Sequence, residues 1–276
     1  MGRAIIVPNI TFSSNLGKVT ASGWPFNSIE LKVQAGMQGG IQGSAIYGDY
    51  LFNGHQNNGQ ITIYNLSTSA LAQTIIVPDS AVSGRHMNSL CFGHLKYSSS
   101  DEYPLLYGGG NLGELTNIID IYRVVRSDNT FSITRVGSID TSMVGYVDVA
   151  YWDDKLVLCG NKIYIVNPPS ADDMEHVLTS SDIIAQYERG AVRTYIQQPC
   201  VYDDHLYIPY FNTYTSKGTY DFMMKVIDLN TGNVVMNAEF NYNNNYNIEF
   251  EAIIVWNNNL YIVSNGSGYS VNLCIV

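Results

Sequence analysis

The chain has 276 residues, with 24 acidic against 14 basic side chains and a formal net charge of −10, a sign that repels phosphate backbones and anionic headgroups and argues against nucleic-acid and membrane-surface partners. Its hydrophobic fraction of 46% supplies a core, only 14% of residues are charged, and Tyr (21 copies) and Gly (24) are abundant. Strands and tight turns suit that mixture, whereas long amphipathic helices draw on Glu, Lys, Arg and Ala that are scarce here, so an all-β chain is expected.

Residues 1–26 read as an N-terminal arm. Within it "AIIVPNITFS" alternates as a strand does, and "GWPFN" looks like a turn leading onward. The opening lacks the long apolar core of a signal peptide, and no run approaches the roughly 20 apolar residues of a membrane span. No export signal and no membrane insertion are therefore expected.

From residue 27 the chain repeats itself. "SAIYGDYLFNG" (44–54) is a pair of apolar runs about a Gly-Asp turn, and "SLCFGHLKYSSSDEYPLLYGGG" (89–110) has the same ends with a longer, Ser-rich polar tip. "VAYWDDKLVLCG" (149–160), "CVYDDHLYIPY" (200–210) and "IIVWNNNLYIVSNG" (253–266) repeat the pattern about Asp-Asp and Asn turns, which are hairpin signals. A third strand follows each hairpin: "ITIYNL", "NIIDIYRVV", "NKIYIVNPP", "MMKVIDLNTG" and "SVNLCIV". The first four units continue into a fourth strand, "LAQTIIVP", "FSITRVGSI", "HVLTSSDII" and "VVMNAEFNY".

The units recur roughly every 45 to 60 residues, the spacing of propeller blades. The fifth stops at Val276 after its third strand, and "SIELKVQAG" (28–36), just ahead of the first hairpin, is expected to supply its fourth and hide an open edge. The sequence thus predicts a five-bladed β-propeller of four-stranded antiparallel blades over residues 27–276, its last blade closed by an N-terminal strand.

In a propeller the first strand of each blade lines the central channel, so the residues that begin those strands converge on the axis. Aligning the hairpins places Gln42, Met87, Val147, Gln197 and Glu251 in one ring and Gly43, Asn88, Asp148, Gln198 and Ala252 in the next, with His86 and Glu249 just upstream. Gln42, His86, Asn88, Asp148, Gln197, Gln198, Glu249 and Glu251 are the candidate ligand-binding set. The competing reading is that such polar groups only hold water and cap strand ends.

Glycoside hydrolysis needs two carboxyl groups flanking the scissile bond. Glu249 and Glu251 lie two apart on one strand and face the same side, which suits that chemistry poorly. Asp148 and Glu251, on different blades, with His86 beside them, are the set expected if the protein is an enzyme. The same groups could hold a hard cation such as Ca²⁺ at the channel mouth, yet no contiguous Asp-rich loop supports one, and no metal or cofactor is expected.

The Asp-Asp pairs at 153–154 and 203–204 read as turns. "YGGGNLG" (107–113) lacks the Lys-Ser/Thr ending of a phosphate loop and reads as a blade turn. His55, His94, His176 and His205 are expected to be solvated, and Cys91, Cys159, Cys200 and Cys274, far apart in apolar runs, to be buried free thiols. Tyr151, Trp152, Trp256 and Tyr261 read as packing residues. The Tyr- and Asn-rich stretches 210–222 and 241–250 suit sugar stacking and hydroxyl bonding, or are simply long polar loops.

The strand starts "QGSAIYGDYLF", "HMNSLCFG", "YVDVAYWDDKLVL" and "EFEAIIVWNNNLYI" resemble those of the teichoic-acid biosynthesis protein C-like propellers of bacteria and phage tails. Gln42 with Gly43, His86 with Asn88, and Glu249 with Glu251 match that family's motifs, while Ala252 stands where the family has glycine. The leader "IIVPNITFSSNLGKVT" resembles the openings of virion proteins from phages of gut Bacteroidetes. These resemblances imply a phage or prophage tail-associated component, found in the virion or in the bacterial cytoplasm before assembly, whose partners are a cell-surface glycan or other virion proteins. A binding or structural module is expected, and a carbohydrate-active enzyme, a hydrolase or lyase, is the alternative.

Overall fold

A computed structural model describes residues 18–22, 28–31, 40–56, 59–77, 86–170, 172–190, 196–214, 220–241, 249–257, 259–265 and 271–275. Two strands come first, β1 (Lys18–Ser22) and β2 (Ser28–Leu31). Then β3 (Ile41–Tyr47), β4 (Tyr50–His55), β5 (Gln60–Asn65) and β6 (Ala70–Ile76) form the first sheet. The second is built on β7 (Ser89–Phe92), β8 (Leu106–Gly109), β9 (Ile118–Ser127) and β10 (Thr130–Asp140). In the third, β11 (Asp148–Trp152), β12 (Lys155–Cys159) and β13 (Ile163–Val166) are followed by β14 (Glu175–Val177), which leaves the sheet, and β15 (Ile183–Tyr187), which completes it. The fourth holds β16 (Cys200–Tyr202), β17 (His205–Tyr214), β18 (Tyr220–Asp228) and β19 (Val234–Asn241), and the fifth β20 (Glu249–Trp256), β21 (Asn259–Asn265) and β22 (Val271–Ile275). No α-helix occurs among the described residues.

The hairpin chemistry explains the tight connections. Asp153, Asp154, Asp203 and Asp204 all have positive φ, from 43° to 62°. Both central residues of each Asp-Asp turn are thus left-handed, the geometry that matches strand twist in a two-residue hairpin. The Ser-rich tip of the second hairpin is not a free polar loop. It folds back so that Tyr103 and Leu105 are buried, and Tyr103 packs among Tyr47, Phe52, Phe92 and Phe131 with ring centroids 5.1 to 6.2 Å away. Arg123 clamps it with two bonds to Asp101, of 2.9 and 2.7 Å.

The first strands are neighbours in chain order: β3 lies beside β7, β7 beside β11, β11 beside β16, β16 beside β20, and β20 beside β3. Apolar side chains leave alternate faces of each strand and fill the spaces between successive sheets. Phe52, Ile61 and Ile63 meet Leu106, Tyr122 and Val124 between the first and second sheets. Leu51 and Tyr64, from the opposite face, meet Ile254, Tyr261 and Val263 of the fifth. The second and third, third and fourth, and fourth and fifth sheets each enclose their own cluster. This is a propeller arrangement of antiparallel sheets.

The segment 28–31 runs antiparallel beside β22 as the outer strand of the fifth sheet. Residues 32–36 of the expected strand lie outside the described set, as do "AIIVPNITFS" and "GWPFN" of the arm. The arm also contributes β1, which pairs in parallel with β19 as a fifth strand on the fourth sheet.

"HVLTSSDII" is a correction, because it is not one strand. Its start, β14, pairs in parallel with β10 of the second sheet, and only β15 joins the third. The reason lies in β10, whose register slips between Arg135 and Gly137. A side chain at Gly137 would collide with the Met174 carbonyl; with none there, Ser138 N donates to Met174 O at 2.7 Å. Arg135 and Ser138 then hold Glu175, at 3.1 and 2.5 Å. The second and fourth sheets therefore have five strands, where four were expected.

Candidate functional site

The starts of the first strands depart from regular pairing. In β3 the register shifts between Ile41 and Ser44, which frees Gln42 and Gly43, and in β20 it shifts between Phe250 and Ala252, at Glu251. Backbone groups at these starts, and Gly110 just after β8, turn sideways to neighbouring sheets: Gly43 N donates to Met87 O (2.7 Å), Gly110 N to Val147 O (2.9 Å) and Gln198 N to Glu251 O (3.1 Å). The irregularity falls on the pair Glu249 and Glu251, which alternation alone would put on one face. Glu251 is itself the unpaired residue of this irregularity, where regular alternation breaks down. The side chain of Glu249 lies outside the described set.

The predicted side chains are drawn into the same cross-sheet bonding. Asn88 donates from Nδ2 to Asp148 Oδ1 (2.9 Å) and to the Ile196 carbonyl (3.3 Å), joining the second sheet to the third and to the chain leading into the fourth. Gln197 donates to Glu251 Oε2 at 3.0 Å. Gln198 reaches furthest: its amide oxygen accepts from Ser44 N and from Leu90 N (3.0 Å), and its amide nitrogen donates to Ser44 O. The side chain beginning the fourth sheet is thus fixed to the first strands of the first and second, across the channel. Gln42 is buried as well.

His86 sits differently. Its ring is half-buried, and its Nδ1 has no hydrogen-bond partner among the described residues. Burial lowers its pKa, so the imidazole is neutral at pH 7. The adjacent Met87 is fully buried with φ 51°, whereas the other non-glycine residues at positive φ sit in or beside turns. A long side chain in this region costs on the order of 1–3 kcal/mol and needs surrounding structure to hold it. Asn111 supplies that hold, its Oδ1 accepting from both His86 N (3.1 Å) and Met87 N (3.2 Å), while its Nδ2 donates to Ile118 O (3.1 Å).

Asp148 is fully buried, and burial pushes its carboxyl up to about 7 against the pull of Asn88, Ser89 and the Arg189 charge. Its Oδ2 has no hydrogen-bond partner among the described residues. Gly110, at φ +67°, lies against this carboxyl, and a Cβ there would collide with Asp148 Oδ1 and the Asn88 side chain. Arg189, near enough for its charge to act on Asp148, donates to the Gly160 carbonyl, and Lys225 Nζ donates to the Arg189 carbonyl at 2.9 Å.

Asn111, Arg189 and Lys225 were missed from sequence. The triple glycine before Asn111 marks a backbone in close quarters. Arg189 and Lys225 carry no comparable signal, since Arg189 follows the last strand of its unit and Lys225 lies on the third strand of its own, β18, rather than on first strands.

Gln198 also lines a cavity of about 190 Å³ to which all five sheets contribute, with Ala45, Leu90, Cys91, Ala150, Cys200 and Ile253 among its walls. Another expectation fails nearby: His55 is not solvated but fully buried, bonded through Nε2 to Thr62 Oγ1 at 2.9 Å. The Tyr- and Asn-rich stretches 211–222 and 241–250 have side chains outside the described set.

No family model matches the chain, and no curated protein matches it in sequence. The resemblance to teichoic-acid biosynthesis protein C-like propellers thus has no sequence match behind it. Among solved structures, the tail fiber of Staphylococcus aureus phage P68 aligns with a TM-score of 0.52 at 13% identity over 90% of this chain. The chain spans only 52% of that tail fiber. Myxococcus xanthus glutaminyl cyclase aligns at 0.48 and 15% identity (86% of this chain, 91% of that one), and a streptogramin B lyase at 0.40 and 11% (86% and 65%). At these identities the tail-fiber likeness speaks for the fold alone.

Proposed function

We propose that the protein is a five-bladed propeller that serves as a non-enzymatic binding or structural module, a phage or prophage tail-associated component that recognises a cell-surface glycan or docks in the virion. The observation that carries the non-enzymatic reading is Gln198. Its amide spans the channel with both ends bonded, and Asn88 and Gln197 are likewise engaged between sheets, so the predicted set acts first as a clasp. The ring of five neighbouring first strands supports the blade number. The tail setting rests on the resemblance of the leader and on the fold shared with a phage tail fiber. In this reading the arm, residues 1–26, attaches the propeller to a virion protein, and no cofactor or metal takes part.

One observation favours the second reading, a carbohydrate-active enzyme using Asp148, His86 and Glu251. Asp148, raised to about 7, is a carboxyl that keeps its proton near neutral pH, as a general acid must. A surface-glycan array separates the two. Binding that leaves the glycan intact and persists in Glu251→Gln supports the module. Shortened product that disappears in Asp148→Asn moves the assignment to the enzyme, and neither glycan binding nor co-assembly with neighbouring tail proteins would sink the proposal.

A further inference from the structure

We propose that the protein holds one sugar ring of its glycan, without cleaving it, in the cleft between the first and second sheets beside their hairpin turns; this rests on the glycan-recognising reading above and gives it a seat outside the channel, where the amides already bond one sheet to another.

The ladder brings the parts of the cleft together. Tyr50 at the start of β4 pairs with Asn65 at the end of β5, and Asn65 with Ala70 at the start of β6, so the three side chains stand in a row on one face of the first sheet. Phe52 and Ile63, two residues along from Tyr50 and Asn65, pack toward the second sheet, so the row looks the same way. Opposite it is Phe131 of β10, its ring centroid 5.0 Å from that of Tyr50 and the two rings inclined at 66°. The cavity here measures about 230 Å³, and Thr68, Leu71, Ala72 and Asn129 also line it. Sites for drug-sized molecules run to roughly 300–1,000 Å³, so this one takes a single ring. Thr68, Ala70, Ala72 and Asn129 are exposed, which leaves the cleft open to solvent.

The two walls are fixed before a ligand arrives. Gln73 of β6 crosses to β10, donating from Nε2 to Phe131 O (2.9 Å) and accepting from Phe131 N at Oε1 (2.7 Å). Arg126 lies over both rings, its guanidinium carbon 4.8 Å from the Tyr50 centroid and 5.7 Å from that of Phe131. Its Nε donates to Asp128 O at 3.0 Å, which braces the turn that carries Asn129. A wall held in advance loses little freedom on binding.

The chemistry of the walls fits a sugar. Tyr50 and Leu71, both half-buried, offer carbon surface to the C–H bonds of a pyranose. Asn65 Oδ1 accepts from Thr68 N (3.2 Å), while its Nδ2, the Tyr50 hydroxyl and the Asn129 amide have no hydrogen-bond partner among the described residues. Amides and a phenol can both donate to and accept from sugar hydroxyls. None of the described residues lining the cleft is charged, so it lacks the paired carboxyl groups that cleave a glycosidic bond.

The test is saturation-transfer NMR of the full-length protein with the methyl glycosides of glucose, galactose, N-acetylglucosamine and N-acetylgalactosamine, run beside the surface-glycan array. At least one glycoside is expected to receive saturation from the aromatic protons of wild type, and none from those of Tyr50→Ala. Affinity on the array is expected to fall about tenfold in Tyr50→Ala and about fivefold in Asn129→Ala. Asn129→Ala lies in an exposed turn and is expected to melt with wild type, so it tests the site even where Tyr50→Ala fails to fold. Wild type that binds the glycan, with Asn129→Ala and a folded Tyr50→Ala binding it equally well, overturns the cleft and leaves the glycan reading standing. Wild type that binds neither an array glycan nor any of the four glycosides overturns both.

Discussion

Gln198 and Asp148 show how differently two polar residues can be buried in one channel. Gln198 satisfies three backbone groups of other sheets, so Gln198→Ala leaves Ser44 N, Ser44 O and Leu90 N without those partners. The expected loss is roughly 2–4 kcal/mol in denaturant unfolding. Gln198→Glu should cost at least as much, because it loses the donor that Ser44 O accepts. Asp148 is held with one oxygen unbonded, and its folded pKa of about 7 lies above its ordinary 3.8. The folded state therefore binds this proton more tightly than the unfolded chain does. That stabilisation is fully present below about pH 3.8 and is lost as the pH rises to about 7. Asp148→Asn keeps an acceptor for Asn88 and removes the buried charge. The variant should be more stable than wild type by about 1–3 kcal/mol at pH 8, with the difference vanishing near pH 4 in thermal melts.

Among the elements, the connection from β14 to β15 is the one that sequence periodicity could not resolve. Both halves look like half-buried strand, and nothing in the alternation tells which sheet each will join; that choice is made by the slip at Gly137 and the pairing of Arg135 with Glu175. The hairpins were legible because their turn residues dictate backbone conformation locally. The ring of strand starts was legible as a place but not as chemistry, since the partners of Asn88, Gln197 and Gln198 lie on other sheets. Arg189 acts on Asp148 from the end of the third unit, where no local pattern points. On β14, His176 lies between Asp173 (2.5 Å) and Asp182 (3.2 Å). Partial burial pulls its pKa down, but the two carboxylates outweigh burial and the net shift is upward. Its contribution is therefore complete below the ordinary value near 6.5 and fades as the pH rises past the folded value. His176→Ala should cost about 0.5–1 kcal/mol at pH 5.5 and close to nothing at pH 8.5, measured by urea unfolding at both pH values.

At the scale of the whole molecule, apolar clusters lie between sheets rather than within them, so no sheet has a core of its own. Thermal unfolding should be one cooperative transition by calorimetry. The N-terminal strands enter that cooperativity unequally. Removing residues 1–22 takes away β1 and leaves the fifth sheet closed by β2, so a cooperative transition a few degrees lower is expected. Removing residues 1–31 bares the edge of β22 and should yield aggregated protein. Equal behaviour of the two truncations in calorimetry and size-exclusion chromatography would show that β2 closes nothing.

The order in which the arm meets the propeller also has a mechanical meaning. Tension arriving from the N-terminal side reaches the five backbone pairs of β1 on β19 before it reaches β2. It is passed to the fourth sheet first, and the seam between β2 and β22 is reached only if β1 peels away. In a protein anchored through its arm, β1 is the strain relief and β2 the closure it protects.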